Sequence, residues 1–301
     1  MDKRQRASWL ATGERRTEKW LAKSGTRLGR SIPYVLATED QRRYGDRGWI
    51  PQGLGLDPVS GLLFQGYYYG GWVRRGAALA VLDPASERVV TDVRLGGPGL
   101  RPRHAGGVTV DGKRLLVTDR GWLYTYELDE VLNARRGRTV RQIAPTLPID
   151  GGSYATAHED RLYVGLFGES LLFTYERVRG GWASVGEAMS TPVNGQGVLV
   201  RDQEFVFSTS RGTHHMSKLV VRPRDAGGDD TEDRSHRLPN MSEGIVELDG
   251  ELVVTYESGA AAYSRPFDGL VDGERRRGRP ETMWPLARLT HTPLAEVGLS
   301  E

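Results

Sequence analysis

The chain has 301 residues, no cysteine, and 41 Lys and Arg against 39 Asp and Glu, for a formal net charge of +2. A disulfide framework, a thiolate nucleophile and a Cys-ligated metal centre are therefore excluded, and the balanced charge gives no electrostatic reason to bind nucleic acid or an anionic membrane. A hydrophobic content of 38% can supply a real core, and 39 glycines point to many short strands joined by tight turns.

Residues 1–30 carry Trp9, Leu10, Trp20 and Leu21 among many charges, which reads as a basic extension of one or two amphipathic helices or a partly ordered arm. It lacks the apolar stretch of about 7 to 15 residues that a signal peptide needs, and no later run approaches about 18 apolar residues, so a cytoplasmic protein is expected. Residues 31–301 read as one domain. The stretch "IPYVLATEDQ" is expected to add an outer strand that closes it.

From residue 52 onward the chain repeats. "PQGLGLDPVSGLLFQGYYYGG", "HAGGVTVDGKRLLVTDRG", "GSYATAHEDRLYVGLFG", "GQGVLVRDQEFVFSTSRG" and "MSEGIVELDGELVVTYESG" each show a polar residue, a small residue, apolar alternation, a turn and a second apolar run. Units start near 52, 106, 153, 196 and 243, a spacing that suits propeller blades. Third strands are read in "ALAVLD", "WLYTYEL", "LLFTYERV", "SKLVVRP" and "AAYSRP". Fourth strands are read in "RVVTDVRL", "TVRQIAP" and "WASVGEAM", with weaker signals in the last two units. The prediction is an all-β, five-bladed β-propeller of four-stranded antiparallel blades. The polar loop at 224–237 offers nothing to bury, and the tail after Trp284 is expected to wrap around the outside.

In a propeller the innermost strands start, and the second strands end, at one mouth of the central channel. This brings Gln52, Gly106, Ser153, Gln196 and Glu243 together with Tyr68, Tyr69, Asp119, Arg120, Phe167, Ser210, Arg211 and Glu257. His104 lies two residues before Gly106, on the same strand face. His104 and Glu243 are the candidate catalytic pair, because histidine suits proton transfer near neutral pH and a carboxylate in a narrow channel is costly unless paired or used. Gln52, Gln196, Arg211, Tyr68, Tyr69, Asp119, Ser153, Phe167 and Glu257 are candidate substrate contacts. Blander roles exist for each: glutamines before glycine serve turns, arginines at strand ends bridge blades, and half of the Tyr67–Tyr69 and Trp72 aromatics should pack between blades. Adjacent His214 and His215 on a strand point to opposite faces, which argues against a metal site there. No GxSxG, P-loop or paired-glycine dinucleotide motif is present.

"IPQGLGLDPVSGLLFQGYYYGG" with "LAVLDPASERVVTDVRL" resembles the first blade of the five-bladed glutaminyl-peptide cyclotransferases of plant and bacterial type. The resemblance implies that Gln52 lines the channel. That family carries its catalytic glutamate in an "EG" pair of the second blade, where this chain has Gly106-Gly107. The wider series "HAGG", "GQG", "STSRG", "MSEG", "ESGA" resembles a group of actinobacterial propellers, which implies a fold and no reaction. Lactonase-like propellers are similar more distantly, and their calcium ligands would correspond here to Glu243 and Asn194 at most.

Three functions stay open on these residues. The first is a small-molecule enzyme at the channel mouth, doing acid/base lyase, cyclase or isomerase chemistry in specialised metabolism without a cofactor. The second is a propeller that binds a ligand or a protein without chemistry, and the third is a metal-dependent, lactonase-like hydrolase using a divalent ion. The first takes a small-molecule substrate as its partner, with no nucleic acid and no membrane.

Overall fold

A computed structural model describes residues 3–31, 48–70, 76–97, 99–213, 215–225, 233–260, 262–263, 270–271, 274–275 and 286–300. Five sheets stand in a ring, and their innermost strands touch in the order blade one, two, three, four, five and back to one. Those inner strands are Trp49–Leu56, Gly107–Asp111, Tyr154–His158, Gly195–Val200 and Ser242–Leu248. Each pairs antiparallel with the strand that follows it. This is the five-bladed β-propeller that the repeat predicts.

Blade-to-blade packing is apolar, with Tyr67, Leu82, Val206, Leu219 and Val253 among the buried residues of the largest cluster. Each fully buried Leu, Ile or Val is worth about 1.5–3 kcal/mol. Nearest the axis there is no space for such side chains. A Cβ on Gly106 would fall inside contact distance of the Ser153 carbonyl oxygen, and one on Gly244 would meet the Leu54 backbone nitrogen. The glycines of the repeat therefore let the backbones of neighbouring blades touch.

Several outer strands differ from the sequence reading. The stretch "TVRQIAP", read as the fourth strand of blade two, contributes to Arg138–Arg141, which joins blade one parallel to Arg88–Gly96. Blade two is completed instead by Leu147–Pro148. The third strand of blade five is Arg288–Pro293, where "AAYSRP" was expected. The chain after Trp284 thus enters the sheet, and does not simply wrap around it. Its fourth strand is Arg27–Ser31, the end of the N-terminal segment, so that both termini build one blade. This pairing joins distant parts of the chain, which a repeat search cannot see. "IPYVLATEDQ" and Trp72 lie outside the described residues.

The loop expected at 224–237 ends in a strand, Arg234–Leu238, that edges blade four. His236 of this strand meets the Thr26 hydroxyl at 3.0 Å, tying the N-terminal segment to the ring. The N-terminal helix runs Lys3–Leu21 and buries Gly13, Thr17 and Leu21 along one face. Among the described residues no helix is long and apolar enough to cross a membrane.

Candidate functional site

Three of the five inner strands contain a bulge, and the bulges coincide with the repeat's polar residues. Pairing skips between Pro51 and Leu54 in blade one, between Gly195 and Gly197 in blade four, and between Ser242 and Ile245 in blade five. The extra residues include Gln52, Gln196 and Glu243. A bulge turns a side chain out of the ordinary alternation; here Gln196 reaches Glu243 and Gln52 reaches Glu257, the carboxylate that repels Glu243. Gln65, fully buried behind the first bulge, donates from Nε2 to the carbonyls of Gly53 and Gly66, both at 3.0 Å, and so holds it open.

At the centre stand two carboxylates. Glu243 is 2% exposed and accepts a hydrogen bond from Gln196 Nε2 at 2.9 Å. Glu257, just past the second strand of blade five, accepts one from Gln52 Nε2. Among the described residues neither carboxylate is ion-paired to an Arg or Lys. Burial lifts both, and their mutual repulsion raises Glu243 further: Glu243 lies well above the carboxylate range and Glu257 is pushed up to about 8. Near neutral pH the pair therefore retains a proton.

Tyr68 extends this group. It hydrogen-bonds Glu257, and its hydroxyl lies 2.8 Å from that of Tyr263. Burial, with Glu257 next, raises the Tyr68 phenol far above its normal range, so it stays protonated. The His104 ring stacks on Tyr68 with centroids 4.5 Å apart. Burial lowers the His104 imidazole below its usual value, against the pull of the Asp119 carboxylate, and Arg120 adds to the lowering. His104 is thus neutral at pH 7.

Gln52, Gln196, Glu243, Glu257, Tyr68 and His104 therefore come together. The other candidates differ in their partners and exposure. Asp119 is 5% exposed and its Oδ2 accepts the backbone N–H groups of Arg103, at 2.6 Å, and His104, at 3.2 Å. Ser153 Oγ accepts the Phe167 backbone N–H at 3.1 Å. Tyr69 packs edge-on against Trp49 at 5.3 Å, on the apolar side of the strand from Tyr68. Phe167 is 39% exposed, and Arg211, past the end of its strand, is exposed. Arg120, also exposed, sits 3.9 Å from the Asp119 carboxylate. Tyr263 and Gln65 escaped the sequence reading. Tyr263 belongs to the alternating stretch "AAYSRP", of which only residues 262–263 are described, as a turn, and Gln65 sits inside a second strand where any residue facing the bulge looks like core.

Among the described residues no three His, Asp or Glu side chains converge as a metal site would require, and His214 lies outside the described residues.

No family model matches the chain, and no curated protein matches it. Solved structures do. Glutaminyl cyclase of Myxococcus xanthus superposes with a TM-score of 0.50 at 16% identity, over 88% of this chain and 94% of that one. Hydrazine synthase of Kuenenia stuttgartiensis gives a TM-score of 0.42 at 15% identity over 68% of this chain, which spans 55% of the hydrazine synthase chain. The first likeness is one of fold and agrees with the propeller resemblance seen in the sequence.

Proposed function

We propose that the channel mouth is the active site of an enzyme that performs acid/base chemistry on a small molecule, of lyase, cyclase or isomerase type. The observation that carries this reading is the pair Glu243 and Glu257: two buried, mutually repelling carboxylates, each held by a glutamine amide on a bulge, with no cation to offset them among the described residues. Such a pair costs folding free energy, and two carboxyls sharing protons hold an acid and a base side by side near neutral pH. In this reading Glu257, when ionised, removes a proton from the substrate. Glu243 supplies one. Tyr68 donates a hydrogen bond to the charged form of Glu257 and keeps it oriented. The neutral imidazole of His104 forms a side wall and exchanges protons with a substrate group on that side. Gln52 and Gln196 fix the two carboxyls and present their remaining amide atoms to the substrate.

The neighbouring glutaminyl cyclase has a similar fold but supplies no residue assignment. Where the resembling family carries its glutamate in blade two, this chain has Gly106, and the Ser153 carbonyl leaves no room there for a side chain. The acid here is in blade five, so the substrate is expected to lie differently across the ring. The test is a screen of small molecules by isothermal calorimetry and turnover, with wild type beside Glu243→Gln, Glu257→Gln and His104→Ala. Ligand handling should be lost in the folded glutamate variants. Unchanged ligand binding and turnover in both would refute the site, and binding without any turnover in wild type would favour a non-catalytic propeller.

A further inference from the structure

We propose that Asp119 is a positioning residue that holds the imidazole of His104 against Tyr68, and that it does not itself contact substrate. The loop between blades one and two enters blade two through Arg103, His104 and Ala105. Asp119 Oδ2 receives two successive backbone N–H groups of this loop, from Arg103 at 2.6 Å and His104 at 3.2 Å. The next residue, Ala105, is fully buried with φ +48°, a left-handed conformation that a non-glycine side chain resists. Backbone N–H groups turned toward one acceptor beside a left-handed residue form an anion-binding concavity. Here the anion is the protein's own carboxylate.

The same loop is clamped from the other side. The Ala105 carbonyl accepts the Gly53 N–H at 3.2 Å, one residue from Gln52, which holds Glu257. Asp119 therefore fixes, through three residues of backbone, the relative placement of the histidine wall and the carboxylate pair. Among the described residues, the groups that act on the His104 ring are Asp119 and Arg120 from blade two, and Tyr68 from blade one. Of these only Asp119 favours the imidazolium, so one carboxylate both sets the ring's position and tunes its protonation.

What His104 does for a substrate rests on the acid/base reading above, but its placement by Asp119 does not. The experiment is accordingly proton NMR of the free protein, with the His104 ring signals assigned among the six histidines by His104→Gln. Wild-type signals should carry a ring-current displacement from Tyr68, removed in Tyr68→Leu. In Asp119→Ala the displacement should be lost. In Asp119→Asn, whose amide oxygen can still accept from the loop, the stack should persist while His104 titrates at lower pH than in wild type. If Asp119→Ala does not fold, the titration of Asp119→Asn decides. A wild-type His104 midpoint in Asp119→Asn, or a wild-type displacement in folded Asp119→Ala, overturns the proposal. If these variants behave as expected while Glu243→Gln and Glu257→Gln leave ligand handling intact, the acid/base reading fails alone.

Discussion

Replacing Glu257 by glutamine removes a titratable group while keeping its shape and an oxygen that can accept the Gln52 amide. With the native carboxyl raised from 4.5 to about 8, the folded protein holds this proton more tightly than the unfolded chain. Below about pH 4.5 the group is neutral in both states and costs nothing. As pH rises toward 8 the unfolded chain ionises and the folded one does not, so stability falls by about 1.4 kcal/mol per pH unit. At pH 7 this amounts to about 3 kcal/mol, trimmed to about 2 because the largely buried Glu257 keeps some surface in water, which screens it. Glu257→Gln should therefore be more stable than wild type by about 2 kcal/mol at pH 7, with a gain that grows toward pH 8 and vanishes near pH 4.5. Urea unfolding of both proteins at pH 5, 6, 7 and 8 measures the difference directly. A gain independent of pH, or a loss of stability at pH 7, would refute the claim that the fold pays to keep this carboxyl buried.

Other consequences follow from the packing. Gly106→Ala should cost about 3 kcal/mol or prevent folding, because its new methyl meets the Ser153 carbonyl, and urea unfolding reads the loss. Arg222 is 1% exposed and bonds Asp233 through two nitrogens at 2.8 and 2.7 Å. Arg222→Ala should therefore destabilise by about 3–5 kcal/mol, with Arg222→Lys recovering only part, as thermal unfolding would show. Deleting residues 1–31 removes the outermost strand of blade five and leaves Arg288–Pro293 as an open edge. The truncated protein should aggregate or self-associate on size-exclusion chromatography, whereas a shorter deletion that spares Thr26–Ser31 should remain closer to wild type.

The repeat made the blades legible because four of the five inner strands need glycine where backbones touch, at Gly53, Gly107, Gly197 and Gly244, while blade three has Tyr154 at that position. The mouth was legible for the same reason: Gln52, Gln196 and Glu243 each precede one of these glycines. What the repeat could not convey is how strands from distant parts of the chain complete a blade, as Arg27–Ser31 and Arg288–Pro293 do. Nor could it convey the bulges, which depend on partners in the neighbouring strand such as Gln65. Glu257 looked like one polar strand end among several. Its proximity to Glu243 and its hydrogen bonds from Gln52 and Tyr68 separate it from Arg211, which has the same kind of position and is exposed to water.

The proposed site depends on Glu243 and Glu257 staying protonated at neutral pH. Infrared spectroscopy of the wild-type protein, titrated from pH 5 to 9 beside Glu243→Gln and Glu257→Gln, reads it directly. The expected result is a protonated-carboxyl band that persists at pH 7 in wild type, declines only as pH passes about 8, and is diminished by either substitution. A wild-type spectrum with no protonated carboxyl at pH 7, or a band that both variants retain in full, would contradict it.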